Sequence, residues 1–197
     1  MTDNDPTEDK PLGPTPADVP LNALPVVELT EDHLQHAQRI AQARNQSYDS
    51  IDGGRVCGEQ SSTEAHLTGA IGELAYAVQY DEKIDESIYA YGDGGRDFTA
   101  GPITIDIKNT RTHIDRPALV VPVEPVPKAD VYFLLHQIDE QTVRIIGFAT
   151  ITTVTDREPV RQPGDTLNYV VPQDELWLPP DLREDTPDEP SNHSLTP

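Results

Sequence analysis

Cysteine, lysine and long hydrophobic stretches are all scarce in this chain of 197 residues. The single cysteine, Cys57, excludes an internal disulfide and a cysteine-based zinc cluster. No apolar run approaches the roughly 18 residues of a membrane-spanning helix. The start, Met1-Thr2-Asp3-Asn4-Asp5-Pro6, has neither the basic nor the apolar region of a secretory signal, so a cytoplasmic protein is expected. The glycines of Gly53-Gly54-Arg55-Val56-Cys57-Gly58 are followed by neither a Walker lysine-serine nor a G-x-G-x-x-G spacing, which argues against a nucleotide loop. Internal repeats are absent. Apolar residues make up only 36%, against 19 prolines and an excess of acid, a balance that indicates one domain with disordered ends and no second domain.

Positive charge is scarce too. Lys10, Lys83, Lys108 and Lys128 are the only lysines, and 14 basic residues face 35 acidic ones for a net charge of −21. The acids are spread through helices, loops and both termini, the distribution expected of a protein kept soluble in molar salt. A halophilic archaeon or one of its viruses is the expected source, with the host cytoplasm as the viral location. The other reading of the same charge is an acidic surface that imitates DNA. Acidity does not by itself forbid nucleic-acid binding, because at molar salt charges are screened beyond about 3 Å. Locally, Arg96, Lys108, Arg111 and Arg116 outnumber Asp97, Asp106 and Asp115, and form a cationic island.

Along the chain, residues 1–28 are expected to be a disordered acidic and proline-rich leader, 29–178 a single domain, and 179–197 a disordered tail. Thr30 can cap a first helix with Glu31 and Asp32 in its opening turn, Leu29 and Leu34 forming a hydrophobic staple. Leu34, Ala37, Ile40 and Ala41 are its apolar stripe. His33 and His36 lie one turn apart, and a solvated helix start is preferred to a metal pair. Cys57 reads as an ordinary loop thiol. Ser61-Ser62-Thr63-Glu64 has capping-box form and opens a helix to about Tyr80, with Leu67, Ala70, Ile71, Leu74, Ala75 and Val78 buried and Gly69 and Gly72 allowing close approach to a sheet. Glu73 sits beside that stripe, as a rim residue or as a carboxylate aimed at a site. A short strand is expected over residues 87–91. Val131–Gln137 and Val143–Thr150 read as strands buried on both faces. His136 ends the first of them in a structural role, Leu167–Val171 reads as an edge strand, and Leu176-Trp177-Leu178 as a last apolar anchor.

The most informative stretch runs from Gly94 to Arg111. Two short strands flank a turn at Ala100-Gly101-Pro102, and Ile103-Thr104-Ile105-Asp106-Ile107-Lys108 alternates with period two. Ile103, Ile105 and Ile107 fall on one face, with Thr104, Asp106 and Lys108 on the other. With an even number of residues between paired positions, Asp97 faces Thr104 and shares the face of Asp106. Two carboxylates so placed can share a divalent cation, with an ammonium beside it. The bland alternative is an edge strand with a solvated polar face.

A helix bearing Glu73, then Asp97, then Asp106-Ile107-Lys108, then core strands: this order of parts resembles the PD-(D/E)XK nuclease superfamily. Gly69-Ala70-Ile71-Gly72-Glu73-Leu74-Ala75 looks like the family's first core helix, and Arg96 stands where the motif's proline would be. The resemblance implies an α/β fold with a mixed central sheet flanked by helices, restriction-endonuclease-like. It also implies Mg²⁺- or Mn²⁺-dependent hydrolysis of phosphodiester bonds, with DNA as the expected substrate. Glu73, Asp97, Asp106 and Lys108 become the expected catalytic residues, Glu73, Asp97, Asp106 and the Ile107 carbonyl the metal ligands. Arg96, Arg111 and Arg116 are expected against nucleic acid, with no membrane partner and a homodimer among the oligomeric alternatives. Two other function classes stand beside the enzyme: an inactive nuclease fold used for binding or assembly, and a DNA-mimicking inhibitor.

Overall fold

Described in the computed structural model are residues 14–49, 62–84, 95–111, 116–162 and 165–179. They form a mixed α/β chain. A five-stranded sheet has the order β1-β6-β5-β3-β2, built from β1 (Val26–Glu28), β2 (Phe98–Ala100), β3 (Ile103–Thr110), β5 (Val131–Gln137) and β6 (Thr142–Thr150). β3 and β5 run parallel, and the other neighbours are antiparallel. A separate antiparallel sheet joins β4 (Leu119–Pro122), β8 (Thr166–Val171) and β7 (Val160–Gln162) in the order β4-β8-β7.

The period of the strands decides the layering. On β5, Phe133 and Leu135 turn to one face and pack with Ile105, Ile107, Val143, Ile145 and the helices α1 (Glu31–Asp49) and α2 (Ser62–Tyr80). Tyr132 and Leu134 turn to the other face, where Leu119, Val121, Val171, Leu176 and Val154 of α3 (Ile151–Thr155) cover them. Tyr132 to His136 are therefore buried at five successive positions, as expected of a strand covered on both sides.

Helix starts are set locally. The Thr30 hydroxyl accepts from the His33 N–H at 3.2 Å, and the Thr30 N–H donates to His33 Nδ1 at 3.3 Å. His33 thus completes a reciprocal cap, with an imidazole in the place usually taken by glutamate. α2 departs from its expected stripe. Residues 70–77 are all buried and Val78 is 42% exposed, because the helix lies between α1 and the sheet and is covered nearly all round.

Several boundaries differ from the sequence reading. Order begins before Leu29: β1 pairs with β6, Leu24 and Val27 are in the core, and Pro16 is fully buried. Too short and proline-broken to show periodicity, this segment gains its order from β6. β8 is the central strand of the small sheet and not an edge, since β7 covers its far side. The apolar anchor is present, with Trp177 N–H and C=O bonded to Phe148 at 2.8 and 3.0 Å. A Cβ on Gly147 would lie 2.4 Å from the Trp177 carbonyl, so glycine is required there. The glycine loop with Cys57, the strand expected at 87–91, and residues 1–13 and 180–197 lie outside the described residues.

Candidate active site

The site begins with a tight turn. Gly101 has φ +60°, which the first central position of a primed two-residue hairpin turn favours, and Pro102 follows it between the paired Ala100 and Ile103. Register then follows: Phe98 faces Ile105 and Thr99 faces Thr104. The expectation that Asp97 faces Thr104 is thus two residues out, although the even spacing on which it rested is correct. Asp97 lies just before β2 and continues its ladder in another way. Its N–H donates to the Ile105 carbonyl at 2.8 Å, and its carboxylate accepts from the Ile107 N–H at 2.6 Å. A side chain here takes the place of the next backbone partner.

Period two puts Asp106 and Lys108 together on β3, and Lys108 Nζ lies 2.5 Å from Asp106 Oδ1. Asp106 is 5% exposed. Gly95 has φ +76°, and its missing Cβ would sit 3.3 Å from Asp106 Oδ2, so the segment entering β2 runs close over that carboxylate. Tyr132 stands beside Asp106 on β5, its hydroxyl accepting from the Ala129 N–H at 3.1 Å.

Glu73 arrives from α2, and close packing fixes where. A Cβ on Gly72 would lie 2.6 Å from Asn109 Cβ, so helix and strand nearly touch. One turn beyond Glu73, the Tyr76 ring packs on Phe98 and Phe133 at centroid distances of 4.8 and 5.0 Å. Glu73 is 5% exposed, and both its oxygens are held by Arg44 of α1, Oε1 to Nη1 at 2.5 Å and Oε2 to Nη2 at 2.7 Å.

Electrostatics tie these groups together. Burial, then the charges of Glu73 and Asp106, push the Asp97 carboxyl well above the usual range, against the Ile107 hydrogen bond and the Lys108 charge. Burial works to lower the Lys108 ammonium, but the Asp106 charge and hydrogen bond prevail and leave it raised. His66, on α2, is lowered by burial and by the Arg44 charge. The sequence runs spatially as Arg44, Glu73, Asp97, Asp106, Lys108: three carboxylates bracketed by two cations.

A cleft of about 370 Å³ adjoins Lys108, with Thr68 and Gly69 of α2 on one wall and Ala118 and Val120 on another. Among the expected nucleic-acid contacts, Arg96 is exposed beside Asp97. Arg111 is engaged on α2, its Nε donating to the Thr68 hydroxyl at 3.1 Å. Arg116 is exposed on the far side of residues 112–115, which lie outside the described residues. His136 is buried at the far end of β5, away from the acids.

Arg44 escaped the sequence reading, yet a signal was there. The stripe Ala37, Ile40, Ala41 continues onto Arg44 at helical spacing, and a charge on a buried stripe needs a partner.

For a divalent cation, the donor set is right in kind: hard carboxylate oxygens whose mutual repulsion a cation would relieve. Among the described residues, no three His, Cys, Asp or Glu side chains stand grouped as a ready cage. Mg²⁺ needs only one or two carboxylates besides water and phosphate oxygens, so Asp97 and Asp106 suit it. Comparisons with protein-family models, curated proteins and solved structures found no match.

Proposed function

We propose that the chain is a divalent-metal-dependent nuclease of restriction-endonuclease-like fold, acting on DNA. The observation that carries this reading is the meeting of Asp97 with Asp106 and Lys108 at the end of β2, with the Glu73 charge felt at the same carboxyl. Structural proteins rarely set a carboxyl whose ionisation burial and two neighbouring acids disfavour beside a lysine, whereas catalytic sites do so regularly. Asp97, Asp106 and Glu73, with the Ile107 carbonyl, are the proposed holders of Mg²⁺ or Mn²⁺. When bound, the cation would supply an activated water and offset charge on the phosphodiester.

The remaining chemistry belongs to the chain. Asp106 keeps the Lys108 ammonium in place, and its raised affinity for the proton suits charge stabilisation better than proton abstraction. Asp106 is buried and Asp97 half-buried, so the charges of this cluster are screened less than in open water. Exposed Arg96 supplies a backbone contact at the rim.

The test is cleavage of single-stranded, duplex and branched DNA with Mn²⁺ in high KCl. Lys108→Ala is expected to keep Mn²⁺ binding and lose most cleavage, on the order of a hundredfold or more. Asp106→Ala should lose both. Equal inertness of wild type and Lys108→Ala on every substrate would refute the enzyme.

One observation favours a second reading, an inactive nuclease fold that binds or assembles. Glu73 and Asp106 already have counter-ions within the chain. That reading requires wild type to bind DNA, or a partner, without cutting and without need of Mn²⁺.

A further inference from the structure

Arg44 is a guanidinium with an unusual address. It projects from α1 into the seam with α2, and its side chain keeps 23% of its surface open to solvent while that of Glu73 keeps 7%. Its two terminal nitrogens face the two Glu73 oxygens side by side. This fork fits two oxygens of a phosphate equally well. Glu73 also acts on Asp97, so one carboxylate stands between the arginine and the acid cluster. Each Glu73 oxygen already accepts one Arg44 N–H, so a cation meets a carboxylate whose charge is paired, and guanidinium and cation compete for it electrostatically.

We propose that Arg44 is the counter-ion of Glu73 in the metal-free chain and a phosphate-binding residue once a divalent cation takes that carboxylate. The inference rests on the reading of the Asp97–Asp106–Lys108 cluster as a metal-dependent phosphodiesterase site. The exchange conserves charge pairing. With a cation and a phosphate bound, Glu73 would serve the cation and the Arg44 guanidinium would serve the phosphate. No buried charge is left alone at either end.

Two measurements on the full chain test this. Mn²⁺ is titrated calorimetrically into wild type and Arg44→Gln. Affinity for a short DNA duplex is then measured with Mn²⁺ in a Lys108→Ala background, across the KCl range in which circular dichroism shows an intact fold. Arg44→Gln is expected to bind Mn²⁺ about tenfold more tightly, its competitor being gone. Duplex affinity should fall about tenfold, and the slope of log affinity against log salt should decrease by about one. Arg44→Lys should restore the slope, as a point charge, with weaker binding than wild type. Should Arg44→Gln fail to fold, the slope is compared between Glu73→Gln and the neutral pair Arg44→Gln with Glu73→Gln, and the same decrease of about one is expected between them.

Weaker Mn²⁺ binding in Arg44→Gln together with an unchanged salt slope would overturn the proposal, since Arg44 would then only hold Glu73 in position. Failure of the underlying reading looks different. Wild type itself would bind no Mn²⁺, and both would fall.

Discussion

Two glycines three residues apart on α2 should respond to alanine in opposite directions. At Gly72 the new Cβ would lie 2.6 Å from Asn109 Cβ, 3.1 Å from its Cγ and 3.3 Å from its Nδ2. Asn109 Cβ is fixed to the β3 backbone, so no rotamer relieves the contact and helix and strand must separate by about 1 Å to restore ordinary packing. Overpacking of this kind costs about 1–3 kcal/mol. Separation also strains the hydrogen bond from Asn109 Nδ2 to the Thr68 carbonyl, 2.9 Å long and worth about 1 kcal/mol. Better helix propensity returns about 1 kcal/mol. The net expectation for Gly72→Ala is a loss of about 1–3 kcal/mol, or roughly 3–4 °C in Tm for each kcal/mol.

Gly69→Ala is the control. Its Cβ would meet nothing nearer than Glu73 Oε1 at 4.0 Å, so only the propensity gain applies and stability should rise by up to about 1 kcal/mol. Thermal and urea unfolding followed by circular dichroism in high KCl measures both. If Gly72→Ala is as stable as Gly69→Ala, α2 does not touch β3 there. The placement of Glu73 beside Asp97 would then lose its support.

Asp97→Asn should stabilise the metal-free chain by about 1–2 kcal/mol at neutral pH, while an amide oxygen still accepts from Ile107. The sign follows from its raised carboxyl: between the ordinary aspartate value of about 4 and the raised one, the folded chain holds a proton that the unfolded chain releases, so wild-type stability falls as pH rises. The Tm advantage of Asp97→Asn should therefore grow upward from about pH 4 and then level; a gap that does not change with pH would refute it. Removing residues 1–13 should leave unfolding cooperative, whereas removing residues 1–28 takes away Pro16, Leu24, Val27 and β1 and should cost more than about 3 kcal/mol. Equal Tm values for the two truncations would show that the β1 edge contributes nothing. With a net charge of −21, dialysis from molar to low KCl should unfold or strongly destabilise the chain, and indifference to salt would count against halophilic adaptation.

Local physics made part of this protein legible. Alternation in Ile103 to Lys108 separated the acid face from the apolar face, and a turn with an even spacing set the β2–β3 register that leaves Asp97 within the field of Asp106, although its partner was misjudged by two residues. Unbroken apolar runs announced β5 and β6 as strands covered on both faces, and Thr30 announced the start of α1. These are facts of chain period, capping and turn geometry, which neighbours in sequence fix. Only the tertiary structure decided what covers each face. It gave β1 its partner, wrapped α2 so completely that Val78 turned outward while Glu73 turned inward, and set Arg44 against Glu73 across 29 positions of sequence. Period names the face of a helix or strand but not the element opposite it. The charge balance of Arg44, Glu73, Asp97, Asp106 and Lys108 therefore exists only once α1, α2 and the β2–β3 hairpin are packed, because the field at a buried carboxyl is set by whatever other elements bring beside it.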